Sequence, residues 1–305
     1  MSEVGGPKRG LMNIGEEAKP PFAVLPDPLS LFQIRSKRFE VLAPKHELEP
    51  YLRFLAHVTR AQHDIQSDLP AAVLPSSERI GQALEHGMPP IPRALFEPQG
   101  VAEATLDKLL ERLAEGGHPV ETAAAIEALR NASPEQRHVA MQDALKDISP
   151  TTDIAQRTLA AAGLQVHFAR LAAMLAAGEL KPVADGACPA CGSAPMASSV
   201  VGWPKASNTR FCTCSLCATM WHVVRVKCVL CSSTEGIGYQ LIEGQSENVK
   251  GETCEKCRSY VKIFYQINDP VLEPLADDVA TLGLDMLLTE EGWKRGGQNP
   301  FLMGY

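Results

Sequence analysis

The sequence predicts an α+β protein: an N-terminal all-α domain, two tandem four-cysteine β modules of the ribbon type, and a C-terminal helix. Three observations carry that prediction. Residues 28–182 repeat apolar side chains at the helical period between proline and glycine breaks. All nine cysteines of the 305 residues lie between Cys188 and Cys257, eight of them in Cys-x-x-Cys pairs. The segments between those pairs are short and rich in Val, Ile, Thr and aromatic residues, the composition of strands. The chain thus divides into an N-terminal arm (1–27), a helical domain (28–182), two ribbons (183–225 and 226–268) and a helix with its tail (269–305).

The arm is rich in Gly, Pro and charge and is expected to be mobile over its first 20 residues. Pro20, Pro21, Pro26 and Pro28 hold the next piece extended, so that Phe22, Val24 and Leu25 can lie along the body. Asp27-Pro28 opens the first helix as N-cap and first-turn proline, and Pro44 ends it. Further helices are expected over Glu47–Ser67, Ser77–His86, Val101–Glu115, Pro119–Asn131, Pro134–Lys146 and Thr152–Ala177. Ser133 is a ready cap, and Gly116-Gly117 and Gly178 sit where helices stop. Strands are expected over Ala197–Val201, Thr209–Thr213, Met220–Val226, Tyr239–Ile242 and Tyr260–Ile267. One last amphipathic helix spans Pro274–Glu290, with Leu275, Val279, Leu282, Met286 and Leu287 on its apolar side.

The cysteines carry the chemistry. Cys188/Cys191 and Cys214/Cys217 recur 40 residues later as Cys228/Cys231 and Cys254/Cys257, giving Cys-x2-Cys-x22-Cys-x2-Cys twice in tandem. Two intervening residues let a tight turn aim both sulfurs at one ion, and four thiolates at such spacing make a tetrahedral metal site. Gly192, after Cys191, permits the positive φ that closes the first turn. Sequential pairing, with each repeat a self-contained unit, is favoured over an interleaved cross-brace. Cys212 is spare and reads as a buried, inert thiol more readily than as a fifth ligand. By geometry the sites suit zinc or iron, and intrinsic affinity favours zinc. A closed four-cysteine site keeps no position for water, which argues against metal hydrolysis and leaves a structural or a one-electron role.

Composition removes other classes. Net charge is −7, and the stretch 185–268 holds eight Lys/Arg against six Asp/Glu. Two divalent tetrathiolates turn that stretch net negative, whereas nucleic-acid binders usually display a basic face, so no nucleic-acid partner is expected. No stretch approaches the ~20 apolar residues of a membrane span. Met1–Pro20 lacks a secretory hydrophobic core, and cysteines held as ligands fit a reducing compartment, so the protein reads as cytoplasmic. His57, His63, Asp64 and His167 are the helical domain's candidate reactive groups, but no motif spacing links them; the protein reads as a non-enzyme.

The four-knuckle array, the link Met220-Trp221-His222-Val223-Val224-Arg225-Val226-Lys227-Cys228 and the segment Glu273-Pro274-Leu275-Ala276-Asp277-Asp278 resemble the FdhE family of formate dehydrogenase accessory proteins. The runs Pro28-Leu29-Ser30-Leu31-Phe32 and Tyr51-Leu52-Arg53-Phe54-Leu55 resemble that family's helical portion. The resemblance implies a cytoplasmic helper in maturing respiratory formate dehydrogenase, with the catalytic subunit of that enzyme as partner. It also implies rubredoxin-like ribbons that bind iron, moving the expected metal from zinc towards iron. A rubredoxin-like electron carrier and a zinc-ribbon nucleic-acid binder are the alternative functions.

Overall fold

A computed structural model describes residues 20–97, 100–146 and 153–303. The expected mobility of the first 20 residues falls almost wholly outside that range. The helical half begins with β1 (Ala23–Val24) and α1 (Pro28–Leu42), whose cap Asp27 accepts a hydrogen bond from the Leu29 backbone N–H. Then come α2 (Glu49–Asp64), α3 (Ser77–Glu85), α4 (Val101–Ala114), α5 (Val120–Asn131), α6 (Pro134–Ala144) and α7 (Ile154–Ala173). Ser133 and Gln136 form a reciprocal capping box at the start of α6, the cap the sequence offered there. Nearly every side chain of α7 from Leu159 to Ala172 is buried, so this helix is the axis around which α1, α2, α4, α5 and α6 pack. Its charge-poor, alanine-rich sequence suits a helix covered on all sides.

The cysteine half supplies β2 (Pro195–Val201), β3 (Thr209–Cys214) and β4 (Met220–Val223), then β5 (Ile237–Gln240), β6 (Val249–Cys254) and β7 (Ser259–Phe264). Each set is an antiparallel three-stranded ribbon, and β3 and β6 span equivalent positions of the 40-residue repeat. Several sequence expectations shift here. The strand expected over Met220–Val226 stops at Val223, because Val224 and Val226 lie exposed in the link between ribbons. Tyr239–Ile242 moves two residues towards the N-terminus, and β6 carried no sequence signal.

The ribbons are not self-contained units. Parallel pairing of Ser198 with Ile263 and Ser199 with Phe264 joins β2 to β7, giving the strand order β1-β4-β3-β2-β7-β6-β5 in one sheet. The extended N-terminal segment supplies the first edge, pairing Ala23 with Trp221. At the other end of the chain the single expected helix is two, α8 (Pro274–Ala280) and α9 (Leu282–Glu290), broken at Thr281. A short β8 (Lys294–Arg295) then pairs with β7.

One hydrophobic core runs through both halves, from Phe32 and Leu164 to Cys188, Phe264 and Leu275. Buried charge stitches the halves together. Arg35 of α1 meets Glu273 at 3.1 Å, and Arg38 makes a two-pronged pair with Asp277 at 2.6 and 2.8 Å. Beneath them Lys262 and Arg295 share Asp278 and Asp285, with Tyr260 donating to Asp285 and Asn299 to Asp278. The Glu273–Asp278 segment singled out in the sequence is therefore the joint between the helical half and the sheet.

Candidate metal centre

The eight paired cysteines gather into two groups of four sulfurs, Cys188/Cys191/Cys214/Cys217 and Cys228/Cys231/Cys254/Cys257, all within 4.8 Å of one another in each group. The pairing is sequential, one group per repeat. Cys188–Cys217 and Cys191–Cys214 are 3.5 Å apart, while Cys228–Cys257 and Cys231–Cys254 are 3.8 and 3.7 Å apart. A tetrahedron of sulfurs about 2.3 Å from a central ion has edges of about 3.8 Å, so the donor sets fit a tetrathiolate metal. Among the described residues these are the two clusters of metal-ligating side chains.

The knuckle turns explain how short segments aim the sulfurs. The Gly192 N–H donates to the Cys188 carbonyl and the Ser232 N–H to that of Cys228. The residue after each pair has positive φ: Gly192, Ala218, Ser232 and Arg258. The glycine signal was visible in only one knuckle, yet the backbone conformation recurs in all four. Leu216 and Cys217 N–H groups point at the Cys214 sulfur, both at 3.4 Å.

The two centres differ in their surroundings. All four cysteines of the first are completely buried, because the helical half closes over it. Ile91 and Arg93 donate their backbone N–H groups to the Ala190 and Cys191 carbonyls, and Gln165 of α7 donates to the Ser215 carbonyl. The Ser193 and Thr219 hydroxyls each sit 3.2 Å from a sulfur, of Cys191 and Cys217, where they can donate to a thiolate. Burial raises the Cys188 and Cys217 thiols well above their usual range. Burial also opposes ionisation of Cys214, but hydrogen bonds from Cys188, Cys191 and Cys217 outweigh it and hold its thiol well below that range. Four thiols packed this closely in dry surroundings resist ionising together without a cation, so binding of an ion there is coupled to loss of their protons.

In the second centre Cys231 is exposed and Cys257 half-buried. Its serines at the matching positions turn away: Ser233 Oγ donates to the Glu235 carbonyl and Ser259 Oγ to the Cys257 carbonyl. Ser193, Thr219 and the positive-φ residues Ala218, Ser232 and Arg258 escaped the sequence reading. The hydroxyls could have been found by asking what stands two residues after each knuckle.

Cys212 belongs to neither group. It is buried on β3 opposite Ser198 and Trp221, and burial pushes its thiol up to about 12. The histidine set does not assemble. His57 packs edge-on against His118, His63 contacts the Leu29 carbonyl, Asp64 pairs with Arg112, and His167 lies between Phe96 and Phe168. Arg225 and Lys227, in the link between the ribbons, offer their carbonyls inward to Arg210. No helix among the described residues is long and apolar enough to cross a membrane.

Comparison with known proteins agrees along nearly all of the chain. Residues 20–185 match the family model for the FdhE N-terminal region, 187–225 the FdhE central domain and 226–302 the FdhE C-terminal domain. A protein of Rhizobium meliloti named "Protein FdhE homolog" is 42% identical over 294 residues, covering 96% of each chain. One of the same name from Stutzerimonas stutzeri is 35% identical, covering 93% of each. The crystal structure of the FdhE protein from Pseudomonas aeruginosa superposes with a TM-score of 0.83 at 33% identity, over 93% of this chain and 99% of that one. With three family models in register along the chain and one fold shared over 93% of it, this protein belongs to the FdhE family of formate dehydrogenase accessory proteins.

Proposed function

We propose that the protein works in the cytoplasm as a non-enzymatic helper in the maturation of respiratory formate dehydrogenase, binding that enzyme's catalytic subunit. Family membership supports the enzyme it serves. The carrying observation is the first centre: four buried sulfurs closed over by the helical half, which leaves no sulfur open to a reactant. Cys188, Cys191, Cys214 and Cys217 would hold one ion, and Cys228, Cys231, Cys254 and Cys257 the other. Iron is the favoured ion and zinc the alternative. A bound ion supplies a fixed crosslink and, if iron, a one-electron couple. The test pairs genetics with co-purification. Cells lacking this chain should make the catalytic subunit but lose most formate-dependent dye reduction, and tagged chain should retrieve the subunit from cytoplasmic extract. Full formate oxidation without the chain would sink the proposal.

The exposed edge at Cys231 supports a second reading, an electron carrier, since it brings one sulfur of a four-sulfur centre to the surface. A ferric tetrathiolate absorption that bleaches and recovers in step with formate oxidation would favour it. A zinc-only protein with full activity would remove it.

A further inference from the structure

We infer that the two centres divide their work, and that the second is a metal-exchange site open to small-molecule chelators while the first is closed to them. This rests on the reading that both four-sulfur groups hold an ion.

Four observations separate the centres. The first is exposure: the first group is buried at every sulfur, whereas Cys231 is exposed and Cys257 half-buried. Chelators remove a tetrathiolate ion by associative exchange, in which an incoming donor must reach the metal before a thiolate leaves. Only the second centre offers that approach. The second is the cover. Pro89 packs so close that a Cβ on Gly192 would meet its Cγ at 3.2 Å, and the 91–93 backbone is hydrogen-bonded to the first knuckle. The fourth knuckle, by contrast, presents Glu255 and Lys256 to solvent. The third is hydrogen bonding: Ser193 and Thr219 sit against first-centre sulfurs, and their counterparts Ser233 and Ser259 do not. Partners of this kind typically change metal retention about 10–100-fold.

The fourth concerns what remains when the second ion leaves. Strands β6 and β7 are anchored from behind by Leu288 against Gly251, by Tyr260 on Asp285 and by Lys262 on Asp278 and Asp285. Opening of the outer knuckles therefore need not unfold the sheet. In exchange, the ion passes to the chelator as M2+, and the freed thiolates of Cys228, Cys231, Cys254 and Cys257 take up protons from water. No electron moves.

The experiment uses the full chain loaded with two equivalents of zinc and mixed with an excess of a chromogenic pyridylazo chelator. One equivalent should leave in a fast phase and the other at least about tenfold more slowly. Cys231→Ser should abolish the fast phase and keep the slow one. Ser193→Ala should accelerate the slow phase and leave the fast one unchanged. On the native zinc protein, brief iodoacetamide treatment read by peptide mass spectrometry should label Cys231 and Cys257 ahead of Cys188, Cys191, Cys214 and Cys217. That readout holds even if a variant fails to fold. Two ions leaving in one phase, or first-centre cysteines labelled first, overturns the assignment while sparing the parent reading. A chain that binds no zinc at all overturns both.

Discussion

Glu273→Gln removes one charge from a pair that has almost no access to water. The Arg35 side chain is 1% exposed and that of Glu273 9%, with Nε to Oε1 at 3.1 Å. The other carboxylate oxygen accepts from the Ala276 N–H at the start of α8. A glutamine has only one oxygen to offer these two donors, so either Arg35 or the helix start faces an amide N–H. Leaving a buried guanidinium without its counter-charge costs about 3–5 kcal/mol. At about 1.6 °C per kcal/mol for a chain of this size, Tm should fall by about 5–8 °C. The double variant Arg35→Met/Glu273→Leu removes both charges. Well-packed apolar replacements of a buried pair are often close to neutral, so the double variant should lose only the helix cap, about 1 kcal/mol. Differential scanning calorimetry at fixed metal loading measures both. A single variant within about 0.5 kcal/mol of the parent, or a double variant no more stable than the single, would refute the view that this pair joins the halves electrostatically.

Other predictions follow from local geometry. A Cβ at Gly297 would lie 2.1 Å from the Met196 carbonyl oxygen, backbone that cannot step aside, so Gly297→Ala should cost about 3 kcal/mol by urea titration. Ala218 is held at φ +58°, and Ala218→Gly should raise stability by up to about 1 kcal/mol, the relief of left-handed strain less the entropy of glycine. Burial, with a smaller contribution from Arg170, lowers the His167 pKa from 6.5 to about 4. The unfolded chain therefore takes up a proton below about pH 6.5 that the native chain refuses until about pH 4. Stability should fall with acidification across that window by up to about 3 kcal/mol more than in His167→Leu, read as the difference in urea midpoints. Cys212→Ala should leave metal content at two ions per chain by elemental analysis and cost about 1 kcal/mol, whereas any ligand role predicts loss of an ion.

The parts of the fold legible in the sequence are those fixed by local chemistry. Asp27-Pro28 and Ser133-Pro134 mark helix starts because a cap and a pre-set φ act on the next few residues alone. The cysteine spacing likewise gave both donor sets, since a knuckle is a local turn. Strand β6 was hidden because Lys250, Gly251 and Glu252 lower any strand signal. What holds it is distant: Glu252 is buried against Arg210 of β3 at 2.7 Å. The break between α8 and α9 was hidden because the apolar spacing from Leu275 to Leu287 continues through it. Thr281 interrupts the helix where Lys262 Nζ, itself buried, donates to the carbonyls of Asp278 and Thr281. The unequal burial of the two centres had no local mark at all, since it comes from Pro89–Arg93, about 100 residues before the knuckle they cover, and from Gln165, 50 residues before its partner Ser215.

The 40-residue repeat also accounts for the ninth cysteine. Cys212 and Glu252 occupy equivalent positions of β3 and β6, and both feel the same buried cation, Arg210. Arg210 already spends its guanidinium on Glu252, Ser198 and the carbonyls of Arg225 and Lys227. A carboxylate at position 212 as well would leave two buried anions beside Arg210, a cost of several kcal/mol. A thiol kept neutral by burial removes the surplus charge while filling the same inward-facing site. The repeat is thus broken where the fused sheet needs it broken.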